Sequence, residues 1–172
     1  RSQISRVLMQ EGLTAIGQYA FAYCSGLTEV AIPESVTTVG NYAFYRCTGL
    51  TQIHFNAVQM TDLTSNNCVF AYCGTAGEGI AVTVGEKVTR IPAYLFYPYG
   101  NADYIPKIKS VEFAEGSQCQ SIGNYAFYNC TTLTNMNLPE GLQTIGSCAF
   151  AGCTSLSELS LPSELEVIAN EA

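Results

Sequence analysis

The chain is short of charge, and of positive charge above all. Charged residues make up 12% of its 172 positions, with seven Lys and Arg against fourteen Asp and Glu. Phosphate backbones are held by clustered Lys and Arg. Here the few basic residues are scattered, so the sequence predicts no nucleic-acid partner. There is one histidine, His54, and no Cys-x-x-Cys pair. That leaves no spacing suited to a zinc site and no Ser-His-Asp or Cys-His arrangement independent of a single ring. Asp62 and Asp103 are the only aspartates, and no two carboxylates are spaced for acid–base work. These absences predict a non-enzymatic chain with no metal and no cofactor. No run of 18 apolar residues exists either, so no membrane-spanning helix is expected.

What the chain does have is a high apolar content, 48%, distributed with a period of about 23 residues. Ile122, Gly123, Ala126, Phe127, Cys130 and Leu133 recur as Ile145, Gly146, Ala149, Phe150, Cys153 and Leu156. The same frame appears upstream as Ile16, Gly17, Ala20, Phe21, Cys24 and Leu27, and again as Val39, Gly40, Ala43, Phe44, Cys47 and Leu50. A fixed period in this range marks a solenoid, whose coils share a core and do not fold singly. Ile4, Val7 and Met9 match Leu27, Val30 and Ile32, so the first coil is half present. Leu165, Val167, Ile168 and Ala169 open a coil that stops before its Phe. Residues 1–172 are therefore expected to be one repeat domain of about six to seven coils, a fragment of a longer protein.

Each coil reads as two pieces. A segment such as Leu27-Thr-Glu-Val-Ala-Ile32 alternates apolar and polar residues and then meets Pro33, which predicts a short strand with one buried face. The Ile-Gly-x-x-Ala-Phe-x-x-Cys segment is spaced for a helical, 3-10 or irregular return, and its Gly is the residue expected to allow a turn or positive φ. The fold class that follows is an α/β solenoid, with short parallel strands on one face and the return segments on the other.

The pattern is irregular over residues 56–121. The loop Gly74–Gly79 delays one strand, and the stretch from Pro98 to Pro106 delays the next. A shorter insertion lies near Cys119. The first two belong to consecutive coils and are expected side by side on one edge, and such insertions are often found on a binding face. Five of the eight cysteines, Cys24, Cys47, Cys73, Cys130 and Cys153, share one repeat position. They read as buried free thiols acting as small hydrophobes. Cys68, Cys119 and Cys148 lie off that position, and a Cys68–Cys73 disulfide is the alternative.

The run Leu-Pro-x-x-Leu-x-x-Ile-Gly-x-x-Ala-Phe-x-x-Cys-x-x-Leu resembles the BspA-like, or Treponema-type, leucine-rich repeat. The match is close over 13–35, 36–55, 122–141 and 142–164 and degraded over 56–121. The resemblance implies a right-handed, horseshoe-like solenoid. It also implies a secreted or surface protein of anaerobic bacteria, a group in which some members bind host matrix proteins such as fibronectin and fibrinogen. Fold alone does not assign a ligand.

Two surfaces are candidates for contact. The outer strand face is expected to present Thr28, Glu29, Gln52, His54, Lys109, Glu112, Asn135, Asn137 and Glu158 to solvent, with His54 a solvated surface residue. The second is the Tyr-rich insertion between Pro92 and Pro106. There Tyr97 and Tyr104 are expected to be exposed, and Tyr94 and Tyr99 to fill the core of an irregular coil. Tyrosine combines apolar area with a polar tip and is favoured at interfaces. The function expected is an extracellular, monomeric adhesion module that binds a host or partner protein. A structural spacer and a glycan-binding module are the alternatives.

Overall fold

The computed structural model describes residues 3–98 and 104–172. Its strands are short and, numbered in chain order, are β1 (Arg6–Val7), β2 (Ala15–Ile16), β3 (Glu29–Ile32), β4 (Thr38–Val39), β5 (Gln52–Phe55) and β6 (Ile80–Val84). They continue as β7 (Arg90–Ile91), β8 (Ile108–Phe113), β9 (Ser121–Ile122), β10 (Asn135–Met136), β11 (Thr144–Ile145) and β12 (Val167–Ile168). Every pairing between them is parallel.

The expected strand face is a six-stranded sheet in the order β1-β3-β5-β6-β8-β10. Register follows the repeat. Val7, Val30, Ile53, Val82, Val111 and Met136 stand opposite one another and point inward; the last five are buried. A one-residue slip would turn each of these side chains to solvent, so burial fixes the register. One expected strand is missing: residues 156–161 of the last coil form none.

All but one of the coils also hold a second strand that the sequence pattern does not announce. The residues just before the Ile-Gly glycine pair across coils, as β2 with β4 and as β7-β9-β11-β12. These strands are two residues long, too short for an alternating pattern to show. The glycines after them do not adopt positive φ. Their role is close approach between coils. A Cβ on Gly40 would stand 2.5 Å from the Gln18 nitrogen, and one on Gly123 only 2.4 Å from the Ala93 nitrogen.

The return segment is not helical, so the α/β description gives way to a parallel β-solenoid with six return segments. Its N–H groups alternate between two kinds of acceptor. Tyr45 and Cys47 donate within their own coil to Tyr42 and Phe44, at 3.1 Å each. Phe44 and Arg46 donate to Val69 and Ala71 of the next coil, at 3.0 Å each. An α-helix would turn all of these donors inward along its own axis and leave none to join the coils. Successive β-turns need positive φ instead, and two repeat positions supply it. One holds Tyr19, Tyr42, Tyr94 and Tyr125, and the other Tyr23, Arg46, Tyr72 and Asn129, all with φ between 54° and 64°. In the last coil the second position is Gly152, which carries no Cβ penalty there.

Inside, Phe21, Phe44, Phe70, Phe96, Phe127 and Phe150 form one continuous stack with centroid spacings of 5.2 to 5.6 Å. The four inner rings are fully buried. The end rings are half-buried, each with a neighbour on one side alone.

Candidate functional site

The outer face of the six-stranded sheet is built by alternation: as Val30, Ile53, Val82 and Val111 turn in, their neighbours turn out. One outward row runs Arg6, Glu29, Gln52, Ala81, Ser110, Asn135 across the coils, and a second runs Ala31, His54, Thr83, Glu112. Neighbouring residues in a row are separated by the strand spacing of about 4.8 Å. Gln52, Lys109, Glu112, Asn135, Asn137 and Glu158 are exposed. Lys109 pairs with Glu78 at 3.2 Å, whereas the side chains of Gln52, Glu112, Asn135, Asn137 and Glu158 make no hydrogen bond or ion pair among the described residues.

Three of the expected contact residues, His54, Glu29 and Thr28, are engaged in the scaffold, and Glu29 is half-buried. His54 is half-exposed rather than freely solvated. Its Nδ1 shares a 2.7 Å hydrogen bond with Thr83 Oγ1, and its Nε2 lies 3.4 Å from the Glu29 carboxylate, so one ring bridges three coils. Thr28 belongs to a ladder at the strand entry. Its hydroxyl donates to Ser5 O at 3.2 Å, as Thr51 does to Thr28 O at 3.0 Å and Thr134 to Lys109 O at 3.2 Å.

The tyrosines lie on the return face, in groups. Tyr97 packs on Tyr94, Tyr125 and Tyr128 at centroid distances of 5.1 to 5.9 Å, and Tyr104 packs on Tyr72 at 5.0 Å. Both are therefore half-buried, against the expectation of exposure. The more open rings are Tyr19 and Tyr23, 42% and 53% exposed, at the first full coil. Arg46 lies over the Tyr72 ring at 4.5 Å, a cation–π contact with no sequence signature. Tyr94 is half-buried, packed against the core and stacked on Tyr125; Tyr99 lies outside the described residues. The 74–79 loop meets the residue that follows the second insertion: Lys107 Nζ donates to Gly77 O at 2.7 Å, and Ile80 N–H donates to Lys107 O at 2.7 Å.

All eight cysteines are free, and Cys68 and Cys73 are not joined. The ladder thiols do more than fill space. Cys47 Sγ donates to Phe21 O at 3.2 Å, Cys73 Sγ to Phe44 O at 3.0 Å and Cys153 Sγ to Phe127 O at 3.1 Å. Each such carbonyl also accepts the N–H of its own coil's cysteine, so the thiol uses its second lone pair. Burial pushes Cys73 and Cys130 up from the ordinary thiol range and Cys119 up to about 11. Off the ladder, the Cys148 thiol donates to Glu171 Oε2 at 3.6 Å, and its proximity pushes the Tyr125 phenol up to about 12. Cys73, Cys119 and Cys130 are thus held protonated, the reverse of what a nucleophile needs, whereas a hydrogen bond with Cys73 brings Cys47 down.

Asp62, one of the two aspartates, repairs a break in the second sheet. Its Oδ1 accepts from Ala93 N–H at 2.8 Å and pairs with Arg90, where a coil without a second strand separates β4 from β7. Among the described residues no group of His, Cys, Asp and Glu is placed to hold a metal ion, and no helix is long and apolar enough to cross a membrane.

No curated protein matches the chain. Among solved structures, it is similar to a leucine-rich cell surface protein of Faecalibacterium prausnitzii A2-165, with TM-score 0.46 and 22% identity over 91% of this chain and 45% of that one. The pneumococcal vaccine antigen PcpA matches with TM-score 0.45 and 22% identity, again over 91% of this chain and 45% of the other. A leucine-rich-repeat protein of Bacteroides ovatus ATCC 8483 matches with TM-score 0.33 and 18% identity, over 92% and 73%. The chain thus spans less than half the length of the first two. The family model of the BspA type leucine rich repeat region matches residues 1–112 and 103–172 in six copies. With that match across its whole length, and with the coil geometry above, the chain belongs to the BspA-type leucine-rich-repeat family.

Proposed function

We propose that the chain is a non-enzymatic recognition module of a secreted or surface protein, which binds a host or partner protein noncovalently through its outer strand face. One observation carries this reading. Gln52, Glu112, Asn135, Asn137 and Glu158 are exposed amides and carboxylates that the solenoid does not use for its own hydrogen bonding. Regular spacing places such groups on a rigid support, which limits the ordering cost of docking. The tyrosines are largely engaged with one another, so the strand face is the better contact surface. A spacer has no use for such a face.

The test is binding of the chain to immobilised matrix proteins, fibronectin and fibrinogen among them, compared with a Gln52→Arg/Glu112→Arg variant. Both positions are exposed, so the variant keeps its fold while bulk and charge change on the face. A loss of at least about tenfold, or 1.4 kcal/mol, is expected. Unchanged binding by this variant, with loss in Tyr97→Ala/Tyr104→Ala, moves the site to the return face. Absence of binding to any protein on the panel favours the spacer.

A further inference from the structure

The outer sheet ends one coil before the second sheet does. Its last strand is β10, while the second sheet continues through β11 to β12. At four of the five earlier junctions between coils a backbone bond closes the entry to the strand. Thr28 donates to Ser5 O at 3.1 Å, Thr51 to Thr28 O at 2.9 Å, Ala81 to Thr51 O at 2.9 Å and Thr134 to Lys109 O at 3.0 Å. The next bond of the series would run from Ser157 N–H to Thr134 O, and it is not made. No backbone hydrogen bond among the described residues joins 157–161 to 134–138. The return side of the same coil stays closed, with Cys153 Sγ bonded to Phe127 O and β12 paired to β11. The last coil is thus a wedge, shut on one side and open on the other.

The opening is a cleft of about 350 Å³, with Thr134, Asn135 and Asn137 on one side and Ser157, Glu158 and Ser160 on the other. Both walls present backbone donors and acceptors without partners across the gap. An unpaired strand edge is a template for another chain, and addition of an extended peptide to such an edge is a general mode of recognition. Charge narrows the occupant further. Residues 110–172 contain seven Glu and no Asp, Lys, Arg or His, so this part of the chain accounts for the whole net charge of −7. Glu158 brings that charge into the cleft itself.

We propose that the cleft receives an extended, basic segment of a partner polypeptide, added as a strand against β10. The inference rests on the protein-recognition role proposed above and names the chemistry of the partner. A glycan would also find hydroxyl and amide groups here, but it has no use for two facing backbone edges. The peptide satisfies the open edge of β10 and places Lys or Arg beside Glu158.

The experiment selects segments of about ten residues from a displayed random peptide library on the intact chain. It then compares each selected peptide with the same peptide N-methylated at alternate residues. Selected sequences are expected to alternate Lys or Arg with β-branched residues. N-methylation is expected to weaken them at least tenfold, and Glu158→Gln severalfold. Backbone amides at 157–160 should gain protection from hydrogen exchange on binding. The proposal is overturned if no peptide is selected, if N-methylated peptides bind equally well, if Lys and Arg are not enriched, or if binding is restricted to oligosaccharides. Its failure is separable from that of the broader reading. Matrix-protein binding lost in Gln52→Arg/Glu112→Arg, without peptide binding, removes the cleft alone. Peptide binding without any matrix protein removes the matrix-protein partner alone.

Discussion

Two glycines at one repeat position should respond in opposite ways to the same substitution. Gly17 and Gly123 both follow the isoleucine of the second strand, and neither adopts positive φ. A Cβ on Gly17 meets nothing within 4 Å among the described residues. A Cβ on Gly123 stands 2.4 Å from Ala93 N, 2.7 Å from Ala93 Cα and 2.8 Å from the Pro92 carbonyl carbon. All three are backbone atoms, so relief requires moving a coil. That coil is tied by Gly123 N–H to Ile91 O at 2.9 Å and by Tyr94 N–H to Asn124 O at 2.9 Å. Overpacking of this kind costs about 1–3 kcal/mol, occasionally more, and contact with backbone belongs at the upper end. Against it stands a gain of about 0.4–1 kcal/mol from the smaller entropy of the unfolded chain. Gly123→Ala is expected to destabilise by about 2 kcal/mol, a fall in Tm of about 4–8 °C for a chain of this size. Gly17→Ala should keep the entropic gain alone and be neutral or stabilising by up to about 1 kcal/mol. Thermal denaturation followed by circular dichroism, with urea midpoints alongside, measures both. If Gly123→Ala is as stable as Gly17→Ala, close approach of the coils is not why glycine stands there.

The phenylalanine stack makes a graded prediction. Phe127→Ala, at a fully buried ring with neighbours on both sides, should cost about 3–5 kcal/mol, whereas Phe21→Ala, at a half-buried end of the stack, should cost clearly less by urea denaturation. Cys119, whose folded value rises from 9.0 to about 11 through burial, deprotonates more readily once unfolded. Its contribution to stability is full below pH 9 and is lost as pH rises toward 11. Two units correspond to about 3 kcal/mol, and Cys119→Ala should flatten the stability curve over that interval. Alkylation of the native chain at pH 8 should modify Cys153 first, since it alone among the eight cysteines is only half-buried, and denaturant should expose the rest together. An Asp62→Ala variant loses the acceptor for Ala93 N–H, which leaves a part-buried donor unsatisfied at a cost of about 1–3 kcal/mol; faster exchange of the Ala93 amide would show it.

Repetition made the architecture legible in the sequence. The period, the inward set from Leu27 to Ile32, the Phe stack and the cysteine ladder are one-dimensional facts. Each coil meets its neighbour at the same offset, so spacing along the chain translates into contact. What depends on relations between coils was not legible. The second strands are too short to alternate. The return segment has apolar spacing that suits a helix as well as successive β-turns, and only the demand for hydrogen bonds between coils selects the turns. Gly40 and Gly123 stand where they do because a backbone in the next coil passes close by, and no local pattern records that. Tyr97 and Tyr104 look exposed until Tyr125, Tyr128 and Tyr72 are brought against them. The cleft beside Glu158 lies in a coil whose sequence follows the repeat almost to the letter. The sequence alone determined the solenoid, its core and the polar outer face, because these follow from side-chain periodicity. The tertiary structure decided where the sheet stays open, because an edge is set by which backbone groups find a partner, and the backbone is the same at every residue.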